Sequence, residues 1–287
     1  MSNELILALI NLQRNYSHND QINMTKKTIL LLAFMLISVW SATSKAAAKL
    51  DFYQIKIYHL KTGEQEKKVH EFLEKAYLPA LHRAGLSSVG VFSPIESSRA
   101  GQAEEEKLIY VFIPFPSREL FFNLNSKLQK DKKYLEDGTG YLDAKYNEPP
   151  YQRIETILLN AFEKSPRFNL PKLNSPKRER VYELRSYEGH TEKISANKIR
   201  MFNTGDEVGL FKRLNFNAVF YGEVVAGSTM PNLMYLTSFE NMTDRSAHWD
   251  AFGKDDYWKK LSALPEYQNN VSKNVTTFLY PADYSDI

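Results

Sequence analysis

Cysteine is absent from the 287 residues. That excludes disulfides, a thiolate nucleophile, cysteine metal sites and lipid anchoring through a cysteine. Glycine is scarce, at 12 residues, and neither the dinucleotide pattern G-x-G-x-x-G nor a P-loop occurs. G-x-S-x-G, the nucleophile elbow, is missing too. No apolar run reaches the ~20 residues that a membrane-crossing helix needs. Excess charge is also lacking. The formal net charge is +3, and residues 1–48 hold four cations and two anions; setting these aside leaves 33 cations against 32 anions, or +1. A body so close to neutral does not offer the basic face that nucleic-acid binding requires. What is present is an ordinary globular composition, 43% hydrophobic and 25% charged, with 17 Tyr and 17 Phe to build cores.

The first segment reads as an address. Lys26 and Lys27 precede a largely apolar run from Thr28 to Trp40, and Ala46-Ala47-Ala48 offers small residues for cleavage. This is the three-part plan of a secretory signal peptide over residues 24–48. Met24 is then the expected start, residues 1–23 are an upstream extension outside that plan, and the mature protein is expected to be secreted or periplasmic with no stable membrane anchor.

The rest of the chain starts twice. "FYQIKIYHL" at 52–60 lies over "VYELRSYEG" at 181–189, with Tyr53 on Tyr182, Lys56 on Arg185 and Tyr58 on Tyr187. Both alternate with period 2, as strands do. A helical stretch follows each: 64–85 with Val69, Phe72, Leu73, Ala76, Tyr77 and Ala80 on one face, and 191–214, capped by Thr191 and weakened by Gly205 and Gly209. Two further strands follow in each half, "SSVGVFSPIE" with "KLIYVFIPF" and "NAVFYGEVV" with "NLMYLTSFE". A second helix carries "KDKKY" at 130–134 or "KDDYW" at 254–258. A last strand closes each half, "RIETILL" at 153–159 and "NVTTFLY" at 274–280. The expected fold is therefore α+β: two tandem ferredoxin-like βαββαβ units, 49–163 and 179–287, joined by a proline-containing linker at 164–178 that is long enough to let one swing against the other. Each unit leaves one sheet face bare, so the two are expected to pack sheet to sheet, within one chain, as an α/β barrel. Further oligomerisation stays open.

On this reading Tyr182 and Leu184 face the helices, while Gln54, Lys56 and Tyr58 from the first copy and Glu183, Arg185 and Tyr187 from the second point into the inter-sheet space. Lys56, Tyr58, Glu183, Arg185 and Tyr187 are the ligand-binding candidates. Either Lys56 and Arg185 receive an anionic small molecule, or Glu183 and Arg185 neutralise each other as a buried pair.

The second half resembles the NIPSNAP family in "VYELRSYEGHTEKISANKIR", "NAVFYGEVV", "NLMYLTSFENMTDRSAHW" and "KDDYWKKL", over about 105 residues. The first half is similar to a divergent copy and lacks an equivalent of "DRSAHW". The resemblance implies a dimeric α/β-barrel fold and carries no catalytic residues across. No pair of histidines has metal-ligand spacing, so no metal and no resident cofactor is expected. His59 and His190, after the two first strands, and His248 are the weaker candidates, each able in principle to ligate haem or act as a general base. The sequence declares no reaction. Three readings stand: a secreted small-molecule binder with its ligand in the inter-sheet cavity, a cofactor-independent or haem-dependent oxygenase-type enzyme of the barrel kind, and a structural or partner-binding protein whose barrel is filled.

Overall fold

In the computed structural model, residues 49–95 and 106–287 are described, and they lie in one unit spanning Ala48–Ile287. The signal-type segment and the extension before it fall outside them, as does Glu96. Among the described residues no helix is long and apolar enough to cross a membrane.

The alternating stretches form eight antiparallel strands: β1 (Phe52–Leu60), β2 (Gly90–Pro94), β3 (Lys107–Phe115), β4 (Arg153–Ala161), β5 (Val181–Glu188), β6 (Phe220–Ala226), β7 (Asn232–Phe239) and β8 (Lys273–Pro281). They close one barrel in the order β1-β3-β2-β8-β5-β7-β6-β4. Each half supplies four strands in the same relative order, and the halves meet at two seams. At one, Phe92 pairs with Pro281 and Pro94 with Leu279. At the other, Leu158 pairs with Ala226 and Ala161 with Gly222 across a bulge. Closure leaves no open sheet edge.

Helices cover the outside. In the first half α1 (Gly63–Phe72) continues through a π-helical turn, Leu73–Tyr77, into α2 (Leu78–Arg83). In the second, Thr191 caps α6 (Glu192–Asn203) through its hydroxyl, as its residue type suggests. The expected single helix to Leu214 breaks instead at Gly205, where a Cβ would come within 2.5 Å of the Met201 carbonyl, and left-handed Asp206 (φ 54°) starts α7 (Glu207–Arg213).

"KDKKY" and "KDDYW" mark joints, not helix interiors. Asp131 separates α3 (Arg118–Leu128) from α4 (Lys132–Asp137), ahead of the short α5 (Thr139–Leu142). Asp255 separates α8 (Met242–Lys254) from α9 (Asp256–Ala263). Each aspartate accepts from helix amides, of Tyr134 or of Tyr257 and Trp258, and each pairs with the arginine that ends a preceding helix. Those pairs are Arg83–Asp131 at 2.8 Å and Arg213–Asp255 at 2.8 and 3.0 Å. Such doubly used caps give the aspartate the same task at both matched places.

The linker is hydrogen-bonded to both halves. Asp51 binds Arg167 (2.5 Å) and accepts from the Phe168 amide (3.0 Å), Asn169 donates to the Val219 carbonyl (2.8 Å), and the Glu240 carboxylate accepts from the amides of Asn174 and Ser175. Polar hooks at both ends overcome the freedom its prolines and charges suggest. Residues 282–287 brace the opposite side: Tyr284 contacts His70, Asp286 contacts His82, and the Ser285 hydroxyl accepts from the Val91 amide.

Candidate functional site

The barrel interior is apolar and full. Tyr53, Ile55 and Ile57 from β1 meet Tyr182 and Leu184 from β5 there, with Phe92, Phe112 and Phe220 between them. Phe112 stacks on Phe220 at 4.8 Å and Phe92 packs on Tyr182 at 4.8 Å. The space left among these rings is about 10 Å³, on the order of a single water. The expected inter-sheet ligand cavity is therefore not there.

The face assignment is reversed for the same reason. Tyr182 and Leu184 point into the barrel, and Glu183, Arg185 and Tyr187 lie under the helices of the second half. A charge survives burial only beside a counter-charge and donors, and the helices carry them. Glu183, fully buried, accepts from Arg185 Nε (2.6 Å), Arg245 Nε (2.8 Å) and Nη2 (2.9 Å), and Trp249 Nε1 (2.7 Å). Arg185 also lies 3.8 Å from the Trp249 ring and donates to Tyr187 Oη, which contacts Tyr235 Oη at 2.8 Å. Burial pushes the Glu183 carboxyl up, but the hydrogen bond from Arg245 and the two guanidinium charges outweigh it, and the net shift is downward. Of the two readings for Arg185, the geometry gives the ion pair, widened to two arginines and an indole. The missed residues, Arg245 and Trp249, stand four apart in "DRSAHW", the spacing that puts a cation and an indole donor on one helix face.

A second buried pair sits nearby. Lys198 Nζ is 2.9 Å from Glu207 Oε2, with side chains 8% and 3% exposed. Burial raises the Glu207 carboxyl in spite of Lys198.

In the first half Gln54 replaces Glu183. Lys56 Nζ has no carboxylate partner among the described residues and lies over the rings of Tyr77 (4.7 Å) and Tyr58 (5.3 Å) under α1 and α2. Lys56 and Arg185 are thus in separate layers on opposite sides of the barrel wall system, and no common pocket joins them.

The weaker candidates disperse as well. His59 lies between Glu106 (2.6 Å) and Glu155 (3.7 Å), His190 is exposed, and His248 contacts its own helix carbonyl at Asp244 and packs edge-on to Phe216. None of the three lines the barrel interior or the cleft beside the linker. No group of three described His, Asp or Glu residues could hold a metal.

Among the described residues, a larger space that a small molecule could enter lies at the β4–β6 seam. It is a cleft of about 420 Å³, within the ~300–1,000 Å³ range of ligand sites. One wall is the anchored linker, with Lys164, Arg167, Leu170 and Lys172. The other is α7 and the turn after it, with Val208, Lys212, Asn215 and Asn217. Asn215 (φ 56°) and Asn217 (φ 44°) are left-handed and turn the chain sharply around Phe216. Asparagine tolerates that conformation better than most residues. Phe211, Phe216 and Tyr221 close the floor.

Comparison with known proteins locates the fold. Residues 182–286 match the family model described as NIPSNAP. The match lies wholly within the second half of the chain, which is similar to a NIPSNAP domain. Its first element is the strand that carries Glu183 and Arg185, and its second helical stretch carries Arg245 and Trp249, so the NIPSNAP match spans the buried lock. A candidate monooxygenase from Lactobacillus acidophilus NCFM is 10% identical, with 81% of this chain and 94% of that one covered at a TM-score of 0.51. A second candidate monooxygenase, from Fusobacterium nucleatum, is 6% identical over 81% and 92% at 0.52. A NIPSNAP-like domain protein from Burkholderia xenovorans is 14% identical and covers 38% of this chain and 90% of its own, at 0.34. At these identities the likeness to the two longer proteins is one of fold, the dimeric α/β barrel closed by a single chain. No curated protein matches the sequence.

Proposed function

We propose that this chain is an exported small-molecule-binding protein, with its ligand seated in the linker–α7 cleft of the NIPSNAP half. One contrast carries the reading: the barrel interior keeps about 10 Å³, whereas the cleft offers about 420 Å³. The NIPSNAP match and the barrel neighbours support the kind of protein, and their names lend no reaction to it. Export rests on the signal-type plan of residues 24–48, and cell fractionation with N-terminal sequencing of the mature protein tests it. A chain retained in the cytosol with residues 24–48 intact would refute export. The shared element order of the two halves supports their origin as copies of one unit.

The binding test uses the neutral fluorophore N-phenyl-1-naphthylamine and the full chain. Saturable one-site binding is expected. Leu170, on the linker wall, is 57% exposed, so Leu170→Asp should leave the melting temperature unchanged while weakening the probe at least several-fold. Absence of saturable binding, or binding indifferent to Leu170→Asp, would overturn the reading.

A further inference from the structure

The cleft carries charge of one sign in a protein whose net charge is only +3. Lys164, Arg167, Lys172 and Lys212 line it, and no carboxylate does. Arg167 is committed to Asp51, at 2.5 Å. The ammonium groups of Lys164, Lys172 and Lys212 have no ion-pair or hydrogen-bond partner among the described residues. They approach from both walls, two from the linker and one from α7, so an oxyanion between them would neutralise cations on either side. Apolar surface continues inward from this rim through Leu170 and Val208 to the aromatic floor.

A second observation lies at the floor. Tyr221 is 2% exposed and lines the cleft. Burial, reinforced by the nearby Glu207 carboxylate, pushes its pKa far up, so it stays a neutral donor.

We propose that the cleft selects amphiphiles with a phosphate-type headgroup: two negative charges held by the Lys164, Lys172 and Lys212 rim, and an apolar body reaching toward Tyr221. This rests on the small-molecule reading above and names the ligand class. Two charges suit three unpaired ammonium groups better than one, since each exposed pair contributes little alone.

The test is competition against bound N-phenyl-1-naphthylamine by dodecyl phosphate, dodecanol and inorganic phosphate. Dodecyl phosphate should displace the probe at a concentration about ten-fold below dodecanol, the factor that three exposed ion pairs together support. Inorganic phosphate alone should compete weakly. The triple variant Lys164→Gln, Lys172→Gln, Lys212→Gln should bring the two dodecyl compounds within about two-fold of each other through loss of the phosphate's advantage, with dodecanol unchanged. Equal competition in the parent, or an advantage that survives the triple variant, would overturn the headgroup assignment while leaving small-molecule binding intact. Inorganic phosphate competing as well as dodecyl phosphate would overturn the amphiphile part. A protein that binds none of these and no probe would instead fail the underlying reading.

Discussion

Glu183→Gln removes one negative charge from beneath the helices of the NIPSNAP half and leaves two guanidinium groups without it. In the parent, Glu183 receives four hydrogen bonds from three side chains, at 2.6–2.9 Å. Breaking a buried pair by removing one partner costs about 3–5 kcal/mol. For a domain of this size that lowers the melting temperature by roughly 6–20 °C. The three-way contact sets the order of the other variants. Arg185→Met leaves Glu183 with Arg245 and Trp249, so it should cost only about 1.5–3 kcal/mol, the net value of a hydrogen bond to a charged group. Glu183→Gln with Arg185→Met still strands Arg245 and should recover only part of the Glu183→Gln loss. Adding Arg245→Met should recover most of it. Urea unfolding followed by circular dichroism measures each step. Glu183 also supplies a pH signature. Its carboxyl is depressed from the ordinary 4.5 in the folded state, so its contribution is present above that value and is lost as pH falls through the folded one. The Glu183→Gln loss should accordingly shrink in acid. A Glu183→Gln variant that costs under about 1 kcal/mol, or a double variant as stable as the parent, would refute the shared lock.

Two other changes have worked-out signs. The Tyr53 hydroxyl is buried inside the barrel without a hydrogen-bond partner; Tyr53→Phe should raise stability by about 1 kcal/mol, and a loss of that size by urea unfolding would mean the hydroxyl is satisfied. Glu207→Gln, a neutral stand-in for the protonated acid that burial favours, should stay close to the parent in stability, as should Lys198→Met with Glu207→Gln; a loss of about 3 kcal/mol in the single variant by urea unfolding would mean that the ion pair outweighs burial. Because the Glu207 carboxyl is raised in the folded state, its contribution is fully present below 4.5 and is lost as pH rises through the folded value. Stability profiles of parent and double variant should diverge over that interval, and parallel profiles would contradict the raised value.

The strands were legible because β1 and β5 alternate while β3 and β7 are short, nearly continuous apolar runs, and the helical stretches because Val69, Phe72, Leu73, Ala76 and Tyr77 hold their spacing even through a π-helical turn. Which face is inner was not legible. Both faces of β5 are largely buried, so polarity alone suggested that Glu183 and Arg185 line a cavity. The deciding partner, Arg245, is 60 residues beyond Arg185 in sequence, and only packing of α8 on β5 brings it there. "DRSAHW" held the clue in the four-residue spacing of Arg245 and Trp249. The cleft was hidden more deeply. Its linker wall reads as a solvated spacer until Asp51 and Val219 hold it against the second half, and its other wall depends on two left-handed asparagines around Phe216.

The central claim is that the ligand seat is the linker–α7 cleft and not the barrel interior. Photo-cross-linking tests it most directly: a diazirine-bearing alkyl phosphate is irradiated with the full chain and the adducts are mapped by peptide mass spectrometry. Adducts are expected within residues 164–172 and 208–221, and excess dodecyl phosphate should suppress them. Adducts concentrated on β1, β3 or β5, or labelling that dodecyl phosphate does not compete away, would contradict the account.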